Sequence, residues 1–312
     1  MARLLDEAES LEVRADTFGG LGAFARTALL LDDVVLSERA LYTDSLRAAF
    51  ASAAFLARPA VAAHVKTITR HANAAAATPQ AGLDKYPAEA RAAMDAIVEL
   101  RAGDGLAALA APQRAAVWAL EDAFRVPLKG DAVCVQGLES AAGAALNGAC
   151  GVVVGFSAAD GTADGAAGAA PRRCRVRMDG ATEVKSILPR HLKTAGGIFR
   201  TNQFADGDVA HIFETLSRFN HACGAAANVA RGFVDGPRGE RVVGVFCTRA
   251  VQEGDELLID YMPEQDLELD LEKRRGLLRI RYNFLCLCNT CTAVCNTCTA
   301  HVAEIETAAA PD

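Results

Sequence analysis

Five cysteines fall within thirteen residues near the C-terminal end, at Cys286, Cys288, Cys291, Cys295 and Cys298. The first three read C-x-C-x-x-C inside "RYNFLCLCNTC" (281–291). Thiolates this close on a non-helical loop can share one tetrahedral Zn²⁺, whose bonds to sulfur are about 2.3 Å long. A structural zinc site takes four ligands, so one is missing from the triplet. A local solution is Cys295 or Cys298, and a remote one is Cys223 in "RFNHACGAAANVARGF" (218–233). The remote thiol is favoured, because it ties the tail to the body of the domain. Cys295 and Cys298 then make half of a second site, with His301 as a weak third ligand.

The whole chain has 312 residues, 51% of them hydrophobic, and carries ten cysteines and a net charge of −7. This is enough to bury a core, as one elaborated domain or as two or three small ones. The acidic balance disfavours a general nucleic-acid binder, including a zinc-ribbon reading of the cysteines, and suits a cationic partner. No apolar run reaches the length of a membrane span. The opening "MARLLDEAES" has acids where a secretory signal would be apolar. The expected setting is intracellular, cytoplasm or nucleus, with cysteines serving as thiols and metal ligands.

Residues 11–38 read as strand, glycine turn, strand and a return strand at "VVLSE". Residues 40–129 are Ala-rich with helical spacing, Pro87 opening one helix and Gly103 closing it. Residues 130–193 hold the short β-rich runs "GDAVCVQGL", "GVVVGF", "RCRVRM" and "EVKSI" around an Ala/Gly-rich loop at 158–170, as in a small barrel. Their "LNGACGVVVGF…RCRVRMDG" pattern resembles SH3-like barrels with an "LNG" signature, which implies an interaction or spacer module. Residues 194–263 return to mixed α/β, with a short helix expected near "VAHIFETLS". A charged helix and the cysteine segment occupy 264–298, and 299–312 is a tail after the tandem "CNTCTAV/CNTCTAH".

The ordered set "GGLGAFA", "NQF", "RFNHAC", "GDELLIDY" and "RRGLLRIRYNFLCLCNTC" resembles the SET-domain protein lysine methyltransferases. It is most similar to the branch whose domain is split by an insertion, the SET-and-MYND proteins, but no MYND module is present. Arg275, Leu278, Tyr282, Phe284 and the three cysteines fit that family's closing pattern. The implied fold is a β-rich α+β domain of small sheets with a pseudoknot. It is split into 11–39 and 194–263, interrupted by the helical and SH3-like insertions, and closed by a post-SET zinc tail. The implied cofactor is S-adenosylmethionine, beside one structural Zn²⁺, and the implied partner is a protein with a target lysine, such as a histone.

The resemblance also assigns roles. Gly20, Leu21 and Gly22 form the G-x-G turn at the cofactor, with Asn202, Asn220, His221, Tyr261 and Phe284 as further cofactor contacts. Tyr261 is the catalytic tyrosine, and with Tyr282 and Phe284 it lines the lysine channel. Cys223 joins Cys286, Cys288 and Cys291 on zinc. Ile259 stands where many relatives have a second tyrosine. Two departures bear on turnover. Ala222 and Ala225 replace Ser and Pro, and Asn228 comes two residues late, so a polar contact beside the active-site knot is expected to be lost. The alternative function is an inactive SET scaffold acting as a zinc-stabilised interaction module.

Overall fold

The computed structural model describes residues 7–17, 20–44, 53–76, 88–123, 127–157, 173–236, 240–262 and 269–293. The expectations for Pro87, the 158–170 loop, Cys295, Cys298, His301 and the tail therefore lie outside the described residues. The chain folds as mixed α/β with small, mostly antiparallel sheets. It divides into two compact units, Met1–Ala40 with Phe213–Asp312, and Leu41–Ile212. Among the described residues, no helix is long and apolar enough to cross a membrane.

In the first unit, β1 (Leu11–Ala15) and β2 (Leu21–Ala25) form an antiparallel hairpin. The return strand β3 (Val34–Arg39) instead pairs with β14 (Arg241–Cys247), which also pairs with β13 (Val229–Asp235). The buried side chains of β14 are Val243, Val245 and Cys247, a period of two that turns one face of this sheet inward. With Leu29, Leu36, Phe213, Leu216 and Phe219 they make an apolar interior, each large side chain contributing about 1.5–3 kcal/mol on burial. The helix Leu271–Tyr282 starts at Asp270, whose carboxylate accepts from the Lys273 amide at 2.9 Å. It ends at Asn283, which adopts the left-handed φ of 57°.

The second unit holds the helices Pro59–Ala76, Ala88–Ala108 and Ala111–Ala119. Gly103 does not close its helix, because Ala102 and Leu106 on either side are buried in a core with Val117, Leu120 and Ile198. Tertiary packing overrides the glycine's local cost. Beyond the helices lies a five-stranded antiparallel sheet: β8 (Val184–Ile187), β7 (Cys174–Met178), β6 (Cys150–Phe156), β5 (Ala132–Val135), β9 (Leu192–Thr194). The helix expected near "VAHIFETLS" is a strand, β11 (Val209–Ile212), with only a 3₁₀ turn at Leu216–Arg218. The reason is the two-residue Gly207–Asp208 turn, where Gly207 takes φ +60° and folds β11 back on β10 (Gln203–Asp206). The other edge of β11 pairs with β4 (Tyr42–Asp44).

The helix Ala195–Asn202 begins at Thr194, whose hydroxyl accepts from the Gly197 amide at 3.0 Å. Glu99 is buried against this start, accepts from the Gly196 amide, and keeps Oε1 without a hydrogen-bond partner. Burial, helped by the charge of Asp131, pushes its carboxyl from 4.5 to about 8. The folded chain therefore holds a proton that the unfolded chain releases. The stability this confers is complete below the lower value and is lost as pH rises through the upper. We expect denaturant midpoints to fall between about pH 5 and about pH 8, by about 4 kcal/mol of stability, and Glu99→Gln to flatten that slope.

Candidate active site and thiol cluster

The segment 254–261, from "GDELLIDY", is the centre of the first unit. Its first part runs antiparallel to β2: Leu257 donates to the Ala23 carbonyl at 2.7 Å and Ala25 to the Asp255 carbonyl at 2.9 Å. Its second part, β15 (Leu258–Ile259), runs parallel to β12 (Asn220–His221), pairing Asn220 with Leu258 and His221 with Ile259. Three motifs far apart in sequence thus meet along one short stretch of backbone.

Asn228 seals that stretch. It is buried, its side-chain amide donates to the Glu256 carbonyl at 2.8 Å, and its side-chain oxygen accepts from the Leu258 amide at 2.7 Å. Its own amide donates to the Leu258 carbonyl at 3.1 Å. The expected loss of a polar contact is thereby corrected. The 3₁₀ turn Gly224–Ala226, entered with φ +50° at Gly224, takes up residues between Cys223 and Asn228 and lets the late asparagine reach the segment.

At the glycine turn, the Asn220 side-chain amide donates to Glu256 Oε1 at 2.7 Å, to Asp16 Oδ2 at 3.0 Å and to the Leu21 carbonyl at 3.4 Å. Asp16 also accepts from the Gly20 amide at 2.8 Å. Neither Gly20 nor Gly22 has a left-handed backbone; Gly22 is needed for space. A Cβ there would lie 2.6 Å from Glu256 Oε1 and 3.1 Å from the Asn220 amide nitrogen. The turn is pressed onto a pair of carboxylates linked by one amide. Asp16 and Glu256 carry no role in the sequence reading. Glu256 sits in plain view in "GDELLIDY", but nothing local says which side chain it meets.

His221 links two parts of the site. Its Nδ1 accepts from the Tyr261 amide at 3.0 Å, so the ring proton is on Nε2, which faces Cys223 Sγ at 3.1 Å as donor. Around the ring stand Tyr261 and Phe284, with centroids at 5.1 and 5.7 Å, and Tyr282 packs on Tyr261 at 4.9 Å. The Tyr261 hydroxyl donates to the Phe219 carbonyl at 2.6 Å. Burial, with Tyr282 and Glu256 nearby, pushes this phenol well above its usual value. It stays protonated at neutral pH and acts as a hydrogen-bond donor. Ile259 is buried beside it.

The sulfurs of Cys223, Cys286, Cys288 and Cys291 all lie within 4.8 Å of one another. Cys223 Sγ is 3.8 Å from Cys286 Sγ and 3.6 Å from Cys291 Sγ. Four ligands at zinc–sulfur bond length define a tetrahedron of edge about 3.8 Å, so the set fits Zn²⁺. Cys291 lies on a helical turn, Asn289–Ala293, and not on a wholly non-helical loop. That turn brings its sulfur in while the Cys291 and Thr292 amides donate back to the Cys288 carbonyl. The Cys223 amide donates to Cys288 Sγ at 3.4 Å, and Arg275 Nε donates to the Cys286 carbonyl at 3.1 Å. Thiol donors, Cys223 first, pull Cys286 down, whereas hydrogen bonding to Cys286 and burial push Cys223 up. Such thiols resist ionising together until a divalent cation joins them.

Asn202 belongs to the second unit. It is buried there, and its amide donates at 2.7 Å to the carbonyls of Glu121 and Ile198.

We expect Asn228→Ala to cost about 2 kcal/mol in chemical denaturation, because it removes two partners from part-buried backbone groups at Glu256 and Leu258. Metal analysis of the purified chain should find about one zinc equivalent, which Cys223→Ser or Cys286→Ser lowers.

Comparison with known families matches residues 20–262 to the model described as the SET domain. No curated protein matches the chain. One similar solved structure is the crystal structure of the SET domain of LSMT bound to lysine and AdoHcy, at 12% identity and a TM-score of 0.36, covering 90% of this chain and 54% of that one. The chain thus spans about half the length of that protein's chain.

Proposed function

The chain belongs to the SET-domain family, and from that premise we propose that it is an S-adenosylmethionine-dependent protein lysine N-methyltransferase. The proposal extends to a split SET domain, an SH3-like reading of 130–193, a post-SET zinc segment and an intracellular basic protein, such as a histone, as substrate. The observation that carries it is the meeting of the glycine turn, Asn220–His221 and Tyr261 along one backbone segment, with an aromatic shell over it.

The cofactor fits this donor set. S-adenosylmethionine supplies an electrophilic methyl on a sulfonium and also carries an ammonium. Asp16 and Glu256, held by Asn220 at the Gly20–Gly22 turn, offer negative charge to such cations. Phe284, Tyr282 and Tyr261 exclude water and offer ring faces, and a cation on a ring face gains about 0.5–2 kcal/mol. The protonated Tyr261 hydroxyl, anchored on the Phe219 carbonyl, orients the incoming neutral amine, so rate comes from alignment and electrostatics. In this reading Cys223, Cys286, Cys288 and Cys291 hold a Zn²⁺ that is structural. It keeps the 284–291 segment against Tyr261 and His221.

Calorimetry with S-adenosylmethionine, and mass spectrometry of basic peptides incubated with labelled cofactor, test the reading. Tyr261→Phe should keep cofactor affinity within about twofold and lose about 10²-fold or more in transfer. Cys288→Ala should lose the zinc and cofactor binding together. Full cofactor affinity in a zinc-free variant would overturn the coupling, and no binding by the zinc-loaded protein would favour the scaffold alternative.

A further inference from the structure

A second pair of thiols lies in the Leu41–Ile212 unit and is independent of the site above. Cys134 on β5 is directly opposite Cys150 on β6, and on its other side it is opposite Lys193 on β9. Lysine, cysteine and cysteine thus form a row across three adjacent strands. The neighbouring Val133 and Val135 belong to the apolar core of the sheet. By alternation Cys134 points to the other face. There the three side chains line a cleft of about 480 Å³ together with Arg114, Trp118 and Asn147.

The backbone pattern decides how close the two sulfurs come. Ladder bonds flank the pair at Val153 N to Asp131 O (3.0 Å) and at Val135 N to Ala149 O (2.9 Å). Such bonds recur every second residue, so Cys134 and Cys150 occupy a non-hydrogen-bonded position, where side chains approach most closely and Cα atoms are about 4.5 Å apart. That is inside the range of about 4.4–6.8 Å that a disulfide spans. Each thiol donates to a nearby backbone carbonyl, Cys134 to Val135 at 3.9 Å and Cys150 to Gly148 at 3.8 Å. The neighbouring Cys150 thiol first, and then the Lys193 charge, hold Cys134 below its ordinary thiol value, while Cys150 is pushed up. Lys193 is itself fixed, its ammonium donating to the Leu120 carbonyl at 2.7 Å and the Trp118 carbonyl at 3.4 Å.

We propose that Cys134 and Cys150 form a thiol–disulfide exchange site, with Cys134 the attacking thiol and Cys150 the resolving one, whose oxidant is a small anionic disulfide such as glutathione disulfide. The Cys134 thiolate attacks one sulfur of the small disulfide, whose S–S bond breaks. The other half leaves as a thiolate and takes up a proton. Cys150, giving up its proton, then attacks Cys134 Sγ and expels the second half. Two electrons pass from the protein thiols to the small disulfide, two small thiols carry away the protons, and β5 is cross-linked to β6. Lys193 and Arg114, both lining the cleft, match the carboxylates of glutathione.

The test uses the full zinc-loaded chain, glutathione disulfide as oxidant, alkylation of remaining thiols, and cleavage after Lys, Arg and Glu. No Lys or Arg lies between Lys129 and Arg172, and Glu139 separates the two cysteines, so 130–139 and 140–172 are distinct fragments. We expect these fragments to be joined, and dithiothreitol to release them. Cys150→Ser should instead trap a glutathione adduct on Cys134, and Lys193→Gln should slow adduct formation about tenfold. Recovery of both fragments separately and fully alkylated from wild-type protein overturns the proposal. So does an adduct forming as fast on Cys150 in Cys134→Ser as on Cys134 in Cys150→Ser. The wild-type result needs no variant to fold.

Discussion

A two-residue parallel pairing, Asn220–His221 on Leu258–Ile259, is the constraint on which the first unit depends. So short a ladder has little strength of its own. It is held because β2 pairs with the residues just before it and Asn228 binds the backbone at Glu256 and Leu258 from the side. Asn228 is itself buried and its bonds are partly so, which makes breaking one costly. The segment is therefore fixed to within a hydrogen bond, and the side chains of Glu256, Ile259 and Tyr261 inherit that fixity.

From this pairing two chemical environments diverge. Toward the glycine turn, the Asn220 amide gathers Asp16 and Glu256 into an anionic corner. Toward the tail, the His221 ring spans the gap between the Tyr261 amide and Cys223. One strand of two residues separates carboxylates suited to a cation from thiols suited to a metal. An imidazole with one donor and one acceptor nitrogen can serve both neighbours only in a single tautomer, which fixes the ring's orientation.

Legibility in the sequence is a matter of locality. The spacing of Cys286, Cys288 and Cys291, and of Tyr282 and Phe284, is written in adjacent residues and reads directly. Cys223 is chosen over two nearer cysteines by an argument about the tail and by family resemblance, because spacing alone says nothing about a ligand 63 residues from Cys286. Asp16 escapes notice because its link to Asn220 spans 204 residues and depends on strand register. Asn228 misleads for the opposite reason: motif spacing implies a lost contact, yet a 3₁₀ turn absorbs the offset. The strand at Val209–Ile212 passes for helix because four residues are too few to show a period, and the Gly207–Asp208 turn before it is the better signal. Gly103 looks like an end where packing makes it an interior residue.

Asn283 carries a consequence for how this chain can vary. Its left-handed backbone stops the helix after Tyr282 and sends Phe284 and Cys286 back toward Cys223. A single residue inserted between Leu278 and Asn283 would rotate the downstream residues by about a third of a turn, carrying both aromatic rings and the sulfurs off target. Insertions within the helix's last turn are therefore excluded, and the count from Leu278 to Cys286 acts as a ruler for the segment up to Cys291.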